Sequence, residues 1–210
     1  NYHGWQVQPN GETIEGVLNR TLSSLLGEKI IVTGASRTDA GVHSMGNVAV
    51  FDTKSRIPAE KISYALNQRL PEDIVVQKSE EVPADFHPRH CDSRKTYEYR
   101  ILNREFPLPM YRNNTYFCYR KLDLEKMQQA AEYLRGEHDF KSFCSNPQMK
   151  KSTVRIVDAI EIVRKKDYIY FNFHGTGFLQ NMVRILVGTL LEVGQGKRTI
   201  ESVQDTLDAR

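Results

Sequence analysis

The order of strand-like and helix-like segments is the feature that most constrains the fold of this chain. Apolar residues at helical spacing span 14–26, between Thr13, a residue type that starts helices, and Gly27, a type that ends them. A second helix is predicted at 58–70, between two prolines. Segments that predict strands surround both helices, at residues 2–8, 29–33, 46–51 and 74–77. The first half therefore has the order strand–helix–strand–strand–helix–strand.

This order is typical of the split βαβ unit of ferredoxin-like folds, and the second half begins to repeat it. Its predicted elements are a strand, a helix, a hairpin and a strongly apolar helix, at 94–103, 123–135, 153–174 and 177–193. We therefore predict an α+β fold of two ferredoxin-like (RRM-like) halves that form one continuous mixed, mainly antiparallel sheet flanked by helices. The acidic, proline-containing segment 80–88 predicts a boundary between an N-terminal half, 1–83, and a C-terminal half, 84–210.

Length and composition narrow the class of protein. With 210 residues, of which 40% are hydrophobic and 26% charged, the chain has ordinary globular usage. No apolar run approaches the ~18 residues of a membrane span. The three cysteines are few and widely spaced, which favours a reducing cytoplasm over a disulfide-bonded, secreted protein. The chain begins at Asn1 and lacks the last strand of its second half, so we expect both ends to be truncated.

No segment has the spacing of a metal or nucleotide site. His87, His90 and Cys91 lie close together, but the intervening Pro88 makes their geometry poor and no fourth ligand follows at a matching distance. The sequence also lacks the glycine-rich patterns that bind the phosphates of nucleotide cofactors. We therefore predict a protein that uses neither a metal nor a cofactor.

The loop 36–43 concentrates chemically active residue types. It contains Arg37, Thr38, Asp39 and His43, and it is flanked and interrupted by glycines. Functional residues gather on loops of this kind, where a carboxylate is presented at a cleft. A turn closed by the side chain of Asp39 is the simpler interpretation, and the spacing alone leaves both open.

The strand 94–103 carries aromatic residues beside cations. Alternation places Lys95, Tyr97 and Tyr99 on one face. Such a face can stack a base and hold a phosphate. Tyrosine is also enriched in ordinary strands, so the pattern alone is a weak signal for RNA binding.

Arg184 lies within the most apolar helical segment of the chain. A buried arginine is costly unless a carboxylate pairs with it, and Asp39 is a candidate partner. A position on the solvated flank of the helix is the alternative.

Basic residues cluster between 141 and 166, although the net charge of the whole chain is only +3. The cluster consists of Lys141, Lys150, Lys151, Arg155, Arg164, Lys165 and Lys166. A solvated face is the ordinary interpretation of such a run. A groove that follows an RNA phosphate backbone is the other.

Together these segments resemble the tRNA pseudouridine synthase A family, and the resemblance covers essentially the whole chain. The segment 36–43, SRTDAGVH, matches the most specific motif of the family. The segments 1–8, 95–99 and 177–184 match three further motifs in the order in which the family has them. Ser44, where the family commonly has alanine, is a minor departure.

The resemblance implies an isomerase that converts uridine to pseudouridine in the anticodon stem-loop of tRNA, at nucleotides 38–40, as a homodimer and without a cofactor. It implies that Asp39 is the nucleophile and that Arg184 pairs with it. By the same resemblance Tyr97 stacks on the uracil and is a candidate base for the C5 proton. Arg37 is implied to bind the substrate and to help displace the target base.

Two alternatives remain beside this interpretation. A non-catalytic RNA-binding protein of the same architecture would not need Asp39 beside anionic RNA. A nucleoside or RNA glycosidase would let water trap the sugar and would release free uracil.

Overall fold

The computed structural model describes residues 1–146 and 148–209. Contacts within the chain divide it into two compact units, Asn1–Asp92 and Ser93–Arg210, described in turn as unit 1 and unit 2. The division falls after Asp92, later than the boundary predicted after residue 83. Helices and strands occur in both units, and the α+β class is confirmed.

Two helices form most of the regular structure of unit 1. Helix α1 spans Ile14–Leu26, and the Thr13 side chain accepts a hydrogen bond from the backbone N–H of Gly16 at 3.2 Å. Gly27 ends α1 in the left-handed conformation, with φ 71°. Helix α2 spans Ala59–Asn67. The start and stop residues of α1 therefore act as the sequence predicts.

Both helices of unit 1 bury one apolar face in a common core. The core also takes in Trp5 and the residues just before the first strand. Its buried members are Trp5, Val17, Leu18, Leu22, Ile30, Val32, Ile62, Leu66 and Ile74.

The strands of unit 1 are shorter than predicted. Strand β1 (Thr33–Gly34) pairs antiparallel with β2 (Ala49–Val50). The segment 2–8 is not a strand, because its backbone bonds to the chain around the start of α1 and to the loop after β1. The segment 74–77 is also not a strand.

A side chain takes the place of a strand partner beside 74–77. The Asn67 side chain accepts a hydrogen bond from the Val76 N–H at 2.8 Å and donates one to the Val76 carbonyl at 2.9 Å. The backbone at Val76 is satisfied without a ladder, which alternation of residue types does not reveal.

Unit 2 is built on a five-stranded sheet in the order β4-β3-β7-β6-β5. The strands are β3 (Lys95–Asn103), β4 (Tyr116–Cys118), β5 (Gly136–Asp139), β6 (Val154–Lys165) and β7 (Tyr168–Gly175). Among the described strands only the β3–β4 pair is parallel, so the sheet is mixed and mainly antiparallel, as predicted. The described strands form one sheet in each unit, and the continuous sheet through both halves stays a prediction.

The described part of unit 2 also contains three α-helices: α3 (Leu124–Glu132), α4 (Met182–Gly194) and α5 (Ser202–Asp208). Helices α3 and α4 pack together on one face of the sheet, α3 against β6 and α4 against β3. The strands supply Ile101, Phe171 and other fully buried side chains to this core. Among the helices that the structure describes, none has both the length and the apolar character to cross a membrane.

Helix α4 begins later than the predicted start at residue 177. Asn181 has a left-handed conformation, with φ 57°, which interrupts the helical path. The carbonyl of Gln180 accepts a hydrogen bond from the backbone N–H of Ser145 at 3.2 Å. The apolar periodicity extends into this loop because Leu179 is buried there for tertiary reasons.

Candidate active site

Asp39 lies in the loop that connects β1 to β2 in unit 1, and its side chain is half-buried. A backbone hydrogen bond from the Val42 N–H to the Asp39 carbonyl, at 3.2 Å, closes the turn after it. Gly41 has φ 74° in this turn, a conformation that favours glycine. Arg37 and His43, on either side of the turn, are exposed. The loop thus presents Arg37 and Asp39 two residues apart.

The first part of this loop is held by a side chain from its far end. The Asn47 amide accepts from the Ser36 N–H at 3.3 Å and donates to the Ser36 carbonyl at 3.2 Å. The Ala35 N–H donates to the Val48 carbonyl at 2.7 Å. The two ends of the loop are therefore tied together although β1 and β2 are short.

Tyr97 lies on the helix-covered face of the unit 2 sheet, half-buried at the margin of the core. Its ring meets the Phe178 ring edge-on, with centroids 5.0 Å apart. Phe178 in turn contacts Phe173, the register partner of Tyr97 on β7. An aromatic ring in this position has packed neighbours on one side, a suitable surface for stacking a base.

Arg184 lies in the first turn of α4, and its side chain is exposed. Of the two interpretations that the sequence allows, the structure has Arg184 on the solvated flank, because α4 turns Met182, Val183 and Leu186 to the core and Arg184 away from it. Burial raises the pKa of Tyr99, and the positive charge of Arg184 opposes part of that rise. The Arg184 guanidinium and the N-terminal N–H groups of α4 together favour a negative group at this end of the helix.

The predicted basic cluster separates into parts in the structure. Lys141, Lys150 and Lys151 line an open, polar cavity of about 380 Å³. Arg155 bonds instead to nearby backbone carbonyls, those of Ser152 and Val154, at 2.9 and 2.6 Å, and burial lowers its pKa. These contacts leave the three lysines as the candidates for RNA phosphates.

The other members of the cluster lie at the far end of the β6–β7 hairpin. Arg164 donates to the Asn103 side chain at 2.6 Å, and the Lys165 ammonium lies 5.6 Å from the Tyr170 ring centroid. Lys166 occupies the turn with φ 55°. The run of basic residues in the sequence therefore does not form a single groove.

The segment 87–91 forms a local turn. The His87 and His90 rings stack with centroids 4.0 Å apart, and the Cys91 thiol donates to the Pro88 carbonyl at 3.5 Å. Within 1–146 and 148–209, no group of three or more histidine, cysteine, aspartate or glutamate side chains is arranged to hold a metal ion.

The structure thus places the predicted site residues in two sets. Arg37 and Asp39 share one loop of unit 1. Tyr97 and Arg184 belong to unit 2, where Arg184 is near enough to Tyr99 to affect its pKa. The pairing of Asp39 with Arg184 stays a prediction.

Sequence reasoning missed Phe178, which packs against Tyr97. The sequence feature that could have indicated it is a single aromatic residue between the glycine-containing segment Gly175–Gly177 and the start of α4. It also assigned no role to Asn47, which lies within the predicted strand 46–51 but precedes the observed β2, where an amide side chain can close a loop by bonding to the backbone.

Comparison with known proteins connects both sets of residues to one family. A family model described as tRNA pseudouridine synthase matches residues 1–90 and 130–210. The chain is 46% identical over 210 residues to the tRNA pseudouridine synthase A of Acetivibrio thermocellus, covering 100% of this chain and 86% of that protein. The enzyme of the same name from Thermoanaerobacter pseudethanolicus is also 46% identical, with the same coverage. That from Halalkalibacterium halodurans is 44% identical, covering 100% of this chain and 80% of the relative.

Proposed function

Because the chain belongs to the tRNA pseudouridine synthase family, we propose that it isomerises uridine to pseudouridine in the anticodon stem-loop of tRNA, with Asp39 as the nucleophile. The observation that carries this proposal is the family match over 1–90 and 130–210, which includes the Asp39 loop and α4. Family membership favours the enzyme over the non-catalytic RNA-binding protein.

Isomerisation requires three changes in the nucleotide. The bond between C1′ and N1 breaks, the uracil turns, and a bond between C1′ and C5 forms. One proton leaves C5 and one is gained at N1, so the atoms balance without a cofactor. The Asp39 carboxylate adds to the sugar or to the base, or it stabilises a glycal-like or oxocarbenium-like route. No second carboxylate is needed to activate water, in contrast to a glycosidase.

The aromatic pair in unit 2 supports a role for Tyr97 beneath the detached base. The edge-on contact with Phe178 already restrains the Tyr97 ring before the substrate binds. Stacking on the uracil therefore costs little further side-chain entropy. The Tyr97 hydroxyl is our candidate for removing the C5 proton. A dry aromatic surface also helps to retain the uracil between the two bond changes.

Two arginines complete the proposed site. Arg184 is the proposed ion-pair partner that holds the Asp39 carboxylate ionised and oriented. Arg37 is exposed two residues before Asp39, and its guanidinium is our candidate for a contact with the RNA backbone. Taking the uridine out of its stack costs a few kcal/mol, which contacts from Arg37 offset in part.

The proposed assembly is a cytoplasmic homodimer that binds tRNA. Sedimentation velocity at micromolar and nanomolar concentration tests it, with a sedimentation coefficient of two chains expected at the higher concentration. A single-chain species that retains full activity contradicts the dimer.

Tritium release from tRNA labelled at uridine C5 tests the reaction. We expect release by the wild type and none above background by Asp39→Asn, while tRNA affinity stays within about twofold. Asp52→Asn is the matched control, an exposed aspartate of the same unit, and should behave as the wild type.

The other outcomes distinguish the alternatives. Free uracil among the products identifies a glycosidase. Binding of tRNA without tritium release by the wild type identifies a non-catalytic RNA-binding protein. Full release by Asp39→Asn removes Asp39 as the nucleophile.

A further inference from the structure

Three residues of unit 1 that lie outside the loop, or at its far end, hold the backbone leading to Asp39. The Arg89 Nε donates to the Gly34 carbonyl at 2.7 Å. Asn47 bonds both backbone groups of Ser36, as described above. The Trp5 N–H donates to the Thr38 carbonyl at 3.0 Å. Three alternate residues before Asp39, namely Gly34, Ser36 and Thr38, therefore each have their carbonyl held by a hydrogen bond.

Trp5 also supports this loop by direct packing. A Cβ on Gly34 would lie 2.4 Å from the Trp5 ring, so the ring fits against bare backbone. A Cβ on Gly4, where φ is 84°, would lie 2.6 Å from the Thr38 oxygen. Both glycines therefore allow a close approach that any other residue would block.

The Trp5 side chain acts through its shape. It is 5% exposed, and its Nε1 has no hydrogen-bond acceptor among the residues that the structure describes. A Trp5→Phe variant thus loses ring volume but no side-chain hydrogen bond.

The segment that carries Trp5 is itself fixed to α1. The Ile14 N–H donates to the Gly4 carbonyl at 3.2 Å, and the Glu15 N–H donates to the Trp5 carbonyl at 3.0 Å. These donors belong to the first turn of α1, which has no intrahelical acceptors for them. A continuous series of contacts therefore runs from the start of α1 through Trp5 to Thr38, the residue before Asp39.

We propose that Trp5 and Arg89 are positioning residues for the isomerisation, which set the location of the Asp39 carboxylate through the backbone of Thr38 and Gly34. The inference rests on the proposed role of Asp39. Catalytic groups must be held within about 0.5 Å of their productive position, and a misplacement of about 1 Å can cost about 10²-fold in rate. Trp5 holds the residue next to Asp39 and Arg89 holds a residue five positions before it, so we expect loss of either contact to displace the carboxylate.

Arg89 provides the sharper test because its side chain is exposed, so its removal leaves the core intact. We expect Arg89→Ala to lower kcat by about 10- to 100-fold, with the KM and Kd for tRNA within about twofold of wild type. Arg89→Lys should lose as much, because an ammonium keeps the charge but lacks the planar Nε donor. Arg69→Ala is the control, another exposed arginine of unit 1.

Trp5→Phe and Gly34→Ala test the packing contact from its two sides. Each should lower kcat by about tenfold or more while thermal unfolding remains cooperative. Gly34→Ala leaves Trp5 chemically unchanged, so a loss of kcat in that variant reports displacement of the loop.

Hydrogen exchange measured by mass spectrometry gives a readout independent of activity. Arg89→Ala should speed exchange in residues 34–42 and leave α1 unchanged. Normal kcat together with unchanged exchange overturns the proposal. A raised KM that Arg89→Lys restores also overturns it, since Arg89 then serves as a charge for RNA. If Asp39→Asn is fully active while exchange responds as expected, the proposed role of Asp39 fails and the anchoring of the loop is retained.

Discussion

At the residue scale, the hydroxyl and the ring of Tyr97 have separable roles. The ring packs edge-on against Phe178 at the margin of the core, so replacing it with another aromatic ring preserves the packing. Only the hydroxyl can accept or relay a proton. A free tyrosine has a pKa of about 10, so proton removal at neutral pH depends on the neighbouring groups.

Tyr97→Phe is therefore expected to lower turnover by about 10²-fold or more, the usual contribution of a general base. Binding of tRNA should stay within about twofold, because the stacking surface is retained. Single-turnover tritium release and filter binding measure the two quantities. Tyr119→Phe, at a tyrosine that is 65% exposed, is the control. Wild-type turnover in Tyr97→Phe removes the hydroxyl from proton transfer.

A second tyrosine ties the first residues of the chain to the turn before segment 74–77. The Tyr2 hydroxyl donates to the Asp73 carboxylate at 2.6 Å, and Asn1 donates to the same carboxylate at 2.9 Å. Burial, followed by the bond to Asp73, raises the pKa of Tyr2 to about 12. The bond from Tyr2 is the main cause that lowers the pKa of Asp73 below 3.8.

Tyr2→Phe should thus reduce the free energy of unfolding by an amount that depends on pH. The Asp73 contribution is complete above pH 3.8 and is lost as the pH falls through its lowered pKa. The Tyr2 contribution is complete below pH 10.0 and is lost as the pH rises through about 12. Urea unfolding of wild type and variant should give the largest difference between these limits. A difference that does not change with pH contradicts the coupling, and the exposed Tyr64→Phe serves as control.

At the element scale, the ends of helices with local signals were predictable and the strands of unit 1 were not. Thr13 and Gly27 delimit α1 as expected, because capping depends on neighbouring residues alone. The backbone of segment 74–77 bonds to the Asn67 side chain and not to another strand, and the alternation of residue types does not indicate which of these partners is used. The start of α4 was placed too early because Leu179 continues the helical periodicity into a loop.

Two glycines of unit 2 should respond to alanine in opposite directions. Gly188 is exposed within α4, and a Cβ there meets nothing within 4 Å, so Gly188→Ala should stabilise by about 0.5–1 kcal/mol. A Cβ on Gly175 would lie 2.4 Å from the Ile156 carbonyl oxygen, so Gly175→Ala should destabilise by about 1–3 kcal/mol. Chemical denaturation measures both. Equal effects of the two substitutions would show that backbone crowding on β7 is unimportant.

At the scale of the whole molecule, a net charge of +3 provides little general attraction for RNA. Binding of a polyanion then depends on where the cations are placed. Lys141, Lys150 and Lys151 surround one polar cavity, whereas Arg155 and Arg164 bond to groups of the protein itself. The positive charge beside the cavity is therefore a better guide to where RNA binds than the net charge of the chain.

Replacing Lys150 and Lys151 together with glutamine should weaken tRNA binding and reduce the slope of log K against log salt by about 1–2, since each phosphate contact contributes about 0.7–0.9. Binding measured between low and physiological salt gives the slope. The paired control is Lys121→Gln with Lys197→Gln, exposed lysines beside the carboxyl end of α4. An unchanged slope in the Lys150 and Lys151 variant excludes the cavity from the RNA contact.

The strand order of unit 2 has a consequence for how the protein is made. β3 is complete at Asn103, but its antiparallel neighbour β7 ends at Gly175, after α3, β5 and β6. At a synthesis rate of about 5–20 residues per second, β7 is synthesised several seconds after β3. Contacts so distant in sequence also slow folding of the finished chain. A nascent chain that ends between these strands leaves the β7 side of the Tyr97 strand unpaired, so we expect the speed of translation over residues 104–175 to affect the yield of folded protein.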